Sequence, residues 1–130
     1  MFIVGRTLVW HDQTPTWYFE DAQGRPTTPD ARIERMRAHV QAVVGRHAGR
    51  IHGWDVVKEV VDNDGAHRPT TWVRGIGSGE VLVRLAVRFA SRYAPGAERY
   101  ANDVNARRPA LRGGIVRLVR AGSSAGRGQR

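Results

Sequence analysis

The sequence feature that most constrains this fold is an alternation of short apolar segments with longer amphipathic segments. Three short segments are typical of strands, and the first is nearly all apolar, as expected for a strand covered on both faces. They are Phe2 to Trp10, Ile51 to Val57 and the weaker segment Glu98 to Asp103. Because a helix-like segment follows each of them, the sequence predicts an α/β fold of three βα units with parallel strands and right-handed crossovers.

The longer segments carry apolar residues at helical spacing and have clear start and stop signals. The first helix is predicted from Thr28, a capping residue followed by proline, to Gly49. Ser78 caps the second helix, which the sequence APG ends at residue 94, and Pro109 opens the third. The residues expected to face inward are Ile33, Met36, Val40, Val43, Val44 and His47, then Val81, Leu82, Leu85, Phe89 and Tyr93, then Leu111, Ile115, Leu118 and Val119.

Composition bounds the class of protein. The chain has 130 residues, of which 41% are hydrophobic and 25% charged, so it corresponds to one globular domain at most. Its lack of cysteine excludes disulfides, thiolate chemistry and cysteine zinc sites. No apolar run is long enough to cross a bilayer, and the start MFIVGRTLVWH lacks the features of a signal peptide.

The net charge of +9 belongs mainly to the end of the chain. Residues 105–130 hold seven arginines and no acidic residue, and the remainder is nearly balanced. Nucleic-acid binding by this basic end is one alternative, but no aromatic residues are interleaved for base stacking, which favours a solvated basic helix. Residues 121–130, AGSSAGRGQR, show no periodicity and are predicted to be a disordered tail after a domain of residues 1–120.

Polar residues cluster where the predicted strands end. The three strand ends are Trp10 to Gln13, Lys58 with Glu59, and Asn102 to Asn105. Parallel strands connected by helices bring their carboxyl ends to one edge of the sheet, and chemistry in such folds gathers there. The turns that enter the strands carry little beyond arginine and glycine. The sequence therefore predicts a single site at the carboxyl ends of the strands.

Three blocks of the sequence carry a resemblance to a known family. GRTLVWHDQTPTW, VVGRHAGRIHGWDVVKEVVDNDG and ERYANDVN resemble consecutive motifs of glycoside hydrolase family 10 endo-1,4-β-xylanases, which run roughly GHTLVWHxQxPxW, VVGRYxGxIxxWDVVNE and LYxNDYN. The resemblance covers about Val4 to Val119. It implies a partial, open-edged TIM (β/α) barrel containing units three to five of eight, and retaining hydrolysis of β-1,4-xylosidic bonds in xylan. It also implies a secreted protein.

The resemblance also implies roles for individual residues. Glu59 falls at the position of the general acid/base, and the positions that match the family's sugar subsites are Trp10, His11, Gln13 and Asn105. Lys58, beside Glu59, is a further substrate-binding candidate. The family's nucleophile lies on a later strand in a pattern like TEL, and these 130 residues contain no such strand end. The chain by itself is therefore expected to be inactive.

Two substitutions within the motifs place cations near the predicted cleavage point. Lys58 stands where the family has asparagine, and Arg6 stands where the family has histidine. A cation next to Glu59 favours its ionised form and lowers its pKa, whereas a general acid needs to keep its proton near neutral pH. Both substitutions therefore count against catalysis by this sequence.

Other interpretations remain open at this stage. Lys58 and Glu59 could form a simple ion pair at the rim, and His11 could be a structural histidine. Trp17 and Trp72, expected in loops, could stack on sugars or pack beneath the loops. Asp55 and Asp103 are expected to orient neighbouring groups by hydrogen bonds, and the core is expected to contain Trp54.

The expected ligands and partners follow from these assignments. No metal is expected, because four of the histidines, His39, His47, His52 and His67, have no ligand spacing with a carboxylate. No cofactor is expected either. The expected partner is xylan or a xylo-oligosaccharide, with no membrane contact. Exposed strand edges could pair with a second copy of the chain, so a non-catalytic sugar-binding or self-associating module is the remaining alternative.

Overall fold

The computed structural model describes residues 1–10, 14–58 and 70–102, and for Asn102 it describes the backbone alone. In chain order the elements are β1 (Val4–Gly5), β2 (Val9–Trp10), a 3₁₀ helix (Thr16–Tyr18), α1 (Pro29–Arg46), β3 (Gly53–Lys58), α2 (Thr71–Ile76), α3 (Gly79–Tyr93) and β4 (Glu98–Asn102). The predicted helix after Pro109 and the predicted tail of residues 121–130 lie outside the described residues.

The sheet is parallel throughout, and β3 is its central strand. β1 pairs with the start of β3, and β2 pairs with its end. Because β4 pairs along the whole length of β3, β1 and β2 share the other edge of that strand. These pairings confirm the predicted parallel arrangement. Among the described residues no further strand covers the outer edges, so the sheet is open, as predicted.

The first predicted strand is interrupted. Val4 lies opposite Gly53 and Val9 lies opposite Val57, so the first segment contains one residue more than the segment of β3 that it faces. The extra residue breaks the ladder between β1 and β2, although the Leu8 N–H still donates to the Asp55 carbonyl at 2.9 Å. A continuous first strand was therefore the wrong prediction, and the physical reason is this local change of register.

The first helix has the predicted start and nearly the predicted end. The Thr28 hydroxyl accepts a hydrogen bond from the Ala31 N–H at 3.2 Å, which caps α1 and satisfies one of its unpaired donors. Met36, Val40 and Val44 are buried, as the helical spacing predicted. The same stripe also buries Arg32, which the apolar pattern did not predict.

The cap of the second predicted helix is confirmed, but its buried face differs in part. The Ser78 hydroxyl accepts from the Val81 N–H at 3.4 Å at the start of α3. Val81 itself is 38% exposed, because it lies one position away from the row that faces the core. The buried residues of α3 are Gly79, Leu82, Val83, Ala86, Phe89 and Ala90.

The short helix α2 was not predicted. The Thr70 hydroxyl accepts from the Val73 N–H at 3.2 Å, and Gly77 ends the helix with a φ of 96°. Six residues are too few to show helical periodicity in sequence, which explains why Trp72 was expected in a loop. The side chain of Trp72 is only 3% exposed, which supports packing rather than an exposed sugar platform.

One apolar core joins the sheet to the helices. α1, α2 and α3 pack against one another, and α3 packs against β3. Trp54 is 3% exposed inside this core, as predicted, and the second strand runs from Gly53 to Lys58 rather than from Ile51 to Val57. The buried members of the core are Leu8, Val9, Met36, Val40, Val44, Trp54, Val56, Val57, Trp72, Leu82, Val83, Ala86, Phe89 and Ala90.

Candidate active site

The sheet brings the carboxyl ends of its strands into line. Trp10, the last residue of β2, lies opposite Lys58, the last residue of β3, and Lys58 lies opposite Asn102 at the end of β4. The structure thus brings together two of the predicted site residues, Trp10 and Lys58. The other four, His11, Gln13, Glu59 and Asn105, lie outside the described residues. Glu59 follows Lys58 directly in the chain.

Lys58 lies against the face of an aromatic ring. Its Nζ atom is 4.0 Å from the centroid of the Trp10 ring, well within cation–π range. Such a contact contributes roughly 0.5–1 kcal/mol at an exposed site and more where water is excluded. The ammonium therefore occupies one face of the Trp10 ring. Sequence analysis predicted both residues for the site but did not predict this contact.

A cleft of about 440 Å³ opens beside this pair. Two cations, Arg6 and Lys58, and three aromatic residues contribute to its surface. Among the described residues that line it, none is acidic. Its described lining consists of Arg6, Thr7, Leu8, Trp10, Thr14, Pro15, Tyr18, His39, Lys58 and Trp72.

Hydrogen bonds hold the aromatic wall of the cleft in place. The Thr14 hydroxyl donates to the carbonyl oxygen of Trp10, and it accepts a hydrogen bond of 3.3 Å from the indole N–H of Trp72. Trp17, by contrast, is 59% exposed and stacks on Tyr18 with ring centroids 4.2 Å apart. Both tryptophans were candidates for sugar stacking, and of the two only Trp17 presents an open ring surface.

Two arginines of α1 attach the segment between β2 and α1 to the rest of the fold. Arg32 donates to the Phe19 carbonyl at 2.9 Å and, from its other terminal nitrogen, to the Thr71 carbonyl at 2.7 Å. Its Nε donates to the Thr27 hydroxyl at 3.1 Å, and burial lowers its pKa. Arg35 donates to the Glu20 carbonyl at 2.8 Å. The residues next to Tyr18 and Trp72 of the cleft wall are therefore held by hydrogen bonds to their main-chain oxygens.

Sequence analysis missed Arg32, although a signal for it exists. Arg32, Met36, Val40 and Val44 recur at intervals of four along α1 and are all buried. A charged residue on such a row either extends to the surface or meets buried acceptors. The spacing could therefore have marked Arg32 as a buried anchor, but it could not have identified the carbonyl oxygens that Arg32 binds.

His39 lies on the cleft side of α1. It is half-buried, has a hydrogen bond to the backbone of Leu8 and meets the Tyr18 ring edge-on at 5.8 Å between centroids. Desolvation lowers its pKa, and the hydrogen bond to Leu8 opposes that effect only in part. At neutral pH the imidazole of His39 is therefore mainly uncharged in the folded protein.

We expect the stability to fall in acid partly because of His39. Its pKa is 6.5 when unperturbed and lower in the folded protein, so between these two values the unfolded chain binds more protons. The free energy of unfolding should therefore fall as the pH drops below about 6.5. Urea denaturation of the protein and of His39→Gln, at about pH 7.5 and about pH 5.5, measures this contribution. The acid-induced loss should be smaller in His39→Gln, which keeps a donor for Leu8 but does not titrate; an equal loss in both proteins would contradict the assignment.

Asp55 lies below the strand ends rather than among them. It is buried in the middle of β3, and one of its carboxylate oxygens accepts from the Thr7 hydroxyl at 3.2 Å. This contact ties β3 to the irregular segment between β1 and β2. The contact agrees with the predicted role in orienting neighbours, whereas Asp103 lies outside the described residues.

The described residues offer no site for a metal ion. Within residues 1–10, 14–58 and 70–102, no three side chains of the kinds that bind metals lie close enough together to share one. In the same residues none of the helices has the length and apolarity needed to cross a membrane.

Sequence comparison finds relatives that are named endo-1,4-beta-xylanases. The endo-1,4-beta-xylanase A of Xylanibacter ruminicola is 40% identical over 126 residues, which cover 97% of this chain and 34% of the relative. The endo-1,4-beta-xylanase of Geobacillus stearothermophilus is 39% identical over 118 residues, covering 89% of this chain and 35% of the relative. The chain thus spans about a third of the length of these relatives.

Solved structures give the same result. A xylanase from Paenibacillus barcinonensis, complexed with a conduramine derivative, superposes with a TM-score of 0.88 at 37% identity, covering 96% of this chain and 38% of the xylanase. A family 10 endoxylanase retrieved from a sugarcane soil metagenome superposes with a TM-score of 0.90 at 35% identity, covering 97% of this chain and 36% of that enzyme. These superpositions confirm the predicted partial barrel, and the matches give no support to the alternatives of nucleic-acid binding or of a non-catalytic sugar-binding or self-associating module. The family model for glycosyl hydrolase family 10 matches residues 1–127, and the chain therefore belongs to that family.

Proposed function

We propose that this chain carries the acid/base half of an endo-1,4-β-xylanase site, with Glu59 as the proton donor and xylan or a xylo-oligosaccharide as the substrate. The observation that carries the proposal is the alignment of three parallel strand ends, at which Lys58 pairs with Trp10 and with Asn102. Glu59 is the next residue in the chain. Membership of family 10 and the names of the relatives support the same substrate.

The proposed reaction is hydrolysis with retention of configuration. The carboxylic acid of Glu59 gives its proton to the glycosidic oxygen while a second carboxylate attacks the anomeric carbon. A covalent glycosyl-enzyme forms and the leaving sugar departs as an alcohol. A water molecule then attacks the anomeric carbon and displaces the second carboxylate. The Glu59 carboxylate takes the proton of this water and becomes a carboxylic acid again.

The chain's own share of this reaction is proton transfer and positioning. The two carboxyl groups of a retaining glycosidase lie roughly 5 Å apart. The resemblance assigns the second one to a later strand in a TEL-like pattern, which is not found in these 130 residues. Trp10 holds the Lys58 ammonium at the end of β3, and Glu59 is the next residue in the chain.

A chimaera tests the role of Glu59. The part of this chain that aligns with the Geobacillus stearothermophilus endo-1,4-beta-xylanase over 118 residues would replace the matching third of that enzyme, which supplies the rest of a barrel. We expect the chimaera to hydrolyse xylan, more slowly than the parent enzyme because it keeps Arg6 and Lys58, and we expect Glu59→Gln to lower its kcat by about 10²–10⁴, the usual contribution of general acid catalysis. With an aryl xylobioside whose phenol is acidic, the leaving group needs little protonation. The Glu59→Gln substitution should therefore lower the rate of the glycosylation step less for this substrate than for xylan.

The isolated chain provides the control. The 130-residue protein should release no xylose oligomers above the level of its own Glu59→Gln variant, because it supplies one carboxyl group of the pair. Release that depends on Glu59 would show that a second carboxylate is present in the chain. A chimaera that melts cooperatively but hydrolyses xylan no faster than its Glu59→Gln counterpart would contradict the assignment of Glu59.

A further inference from the structure

The Lys58 ammonium covers an aromatic ring that borders the cleft. Lys58 and Trp10 both line the cleft, and the Lys58 Nζ atom is 4.0 Å from the centroid of the Trp10 ring. The two residues are register partners at the ends of β3 and β2, and paired residues of neighbouring strands project from the same face of a sheet. The contact therefore follows from the strand pairing itself.

We propose that Lys58 restricts which ligands reach Trp10, because its ammonium occupies the face of the indole on which a sugar ring would stack. Carbon atoms in van der Waals contact lie about 3.5–4.0 Å apart, so a pyranose stacked on Trp10 needs the volume that Nζ fills. A neutral sugar that uses this ring must first displace the ammonium, which weakens its binding. The choice of xylo-oligosaccharides as ligands rests on the function proposed above, whereas the covering of the ring does not.

The charges around the cleft favour this position of Lys58. Among the described residues that line the cleft none is acidic, and Arg6 adds a second positive charge. Each of the three ion pairs recorded among the described residues joins an acidic residue to an arginine, so none of them involves Lys58. The face of an indole carries the negative part of its quadrupole and attracts an ammonium group. Trp10 therefore supplies an attractive surface for the charge at the end of β3.

The main chain of Trp10 is fixed on two sides. The pairing of β2 with β3 holds Trp10 opposite Lys58, and the Thr14 hydroxyl donates to the Trp10 carbonyl oxygen. Thr14 in turn accepts a hydrogen bond of 3.3 Å from the indole N–H of Trp72, which is buried. Lys58, by contrast, has a long flexible side chain. A ligand therefore opens the ring by moving Lys58 rather than by moving the strand that carries Trp10.

The chain contains a single lysine, so the contact can be measured directly. In the 130-residue protein grown with isotope-labelled lysine, the Hε protons next to Nζ belong to Lys58 alone, and protons over an aromatic face resonate upfield. We expect such an upfield shift in the folded protein, its loss when urea unfolds the chain, and its decrease as xylotriose is added. A folded protein without the shift, or a shift that bound xylotriose leaves unchanged, would overturn the proposal.

Substitutions at position 58 test the consequence for binding. Lys58→Ala uncovers the ring and should tighten the binding of xylotriose about three- to tenfold by isothermal titration calorimetry, the factor that corresponds to a partly desolvated cation–π contact. Lys58→Arg keeps a cation that stacks on the indole, so it should bind as the original chain does. Arg6→Gln is the matched control. It removes the other cation of the cleft without uncovering the ring and should change the affinity by less than about twofold, because xylotriose carries no net charge.

The outcomes separate this inference from the proposed function, and cellotriose serves as a second neutral ligand. If Lys58→Ala gains affinity for neither sugar, or if Arg6→Gln gains as much, the ammonium does not act as a cover and the inference is wrong. A gain for cellotriose alone would support the cover and contradict the xylan substrate. Because the NMR measurement needs no substitution, the inference stays testable even if Lys58→Ala disturbs the end of β3.

Discussion

Replacing Arg32 with methionine is expected to lower the free energy of unfolding by about 3 kcal/mol. Methionine fills similar space but donates no hydrogen bond, so the carbonyl oxygens of Phe19 and Thr71 lose the donors that now reach them at 2.9 Å and 2.7 Å. The Phe19 carbonyl keeps a second donor, the Thr27 N–H at 2.9 Å, so the cost comes from losing hydrogen bonds to a charged group, about 1.5–3 kcal/mol each, and removal of a buried charge offsets part of it. Urea denaturation measures the difference.

The surroundings of Arg32 are closely packed, which limits any compensation. Its side chain is 3% exposed, its guanidinium carbon lies 5.0 Å from the Phe19 ring centroid, and a methyl group added at Gly75 would come within 1.8 Å of its Nη1 atom. Arg88→Met is the matched control, because Arg88 is an exposed helical arginine and its loss should change stability by less than about 0.5 kcal/mol. Similar losses in the two variants would show that Arg32 contributes only general charge or helix propensity.

Alanine at Gly5 is expected to destabilise the protein by about 2–3 kcal/mol. Its Cβ atom would lie 2.3 Å from the Cζ3 atom of the Trp54 ring, far inside contact distance. Trp54 is 3% exposed within the core and cannot turn away without displacing its neighbours. Chemical denaturation should show this loss, and the change in the Trp54 environment should alter near-ultraviolet circular dichroism.

The same substitution elsewhere should have the opposite effect. Gly45 lies inside α1, and a methyl group added there meets no atom within 4 Å among the described residues. Gly45→Ala should therefore stabilise the protein by about 0.5–1 kcal/mol, because alanine restricts the unfolded chain and favours helix. If Gly5→Ala and Gly45→Ala had the same sign, close packing of Gly5 against Trp54 would not explain the first result.

The elements that sequence analysis predicted correctly are those with strong local signals. Thr28 and Ser78 cap helices because their hydroxyls meet backbone donors within the next turn, and such contacts need no tertiary information. The alternation of strand-like and helix-like segments predicted the parallel sheet, because parallel neighbours need a long connection between them. Exact registers were beyond reach, since the extra residue between β1 and β2 depends on how β3 lies beside them.

In the site, too, local features could be predicted from the sequence and tertiary contacts could not. The polar strand ends predicted its place, and the structure brings Trp10 and Lys58 together there. The ammonium–indole contact could not be predicted, because it joins residues that are far apart in the chain and depends on a particular side-chain rotamer. His39, Tyr18 and Thr14 also line the cleft, although their positions in sequence gave no sign of it. The role of Glu59 stays a prediction until the chimaera is measured.

The way Arg32 is bonded has a consequence for how freely the cleft wall can be altered. Two of its three hydrogen bonds end on peptide oxygens, which every amino acid provides, so these two bonds do not depend on which side chains stand at positions 19 and 71. The neighbouring residues Tyr18 and Trp72 line the cleft, and their side chains can change while these two hydrogen bonds remain. This portion of the barrel can thus acquire a new specificity by changing its side chains and keeping its backbone path.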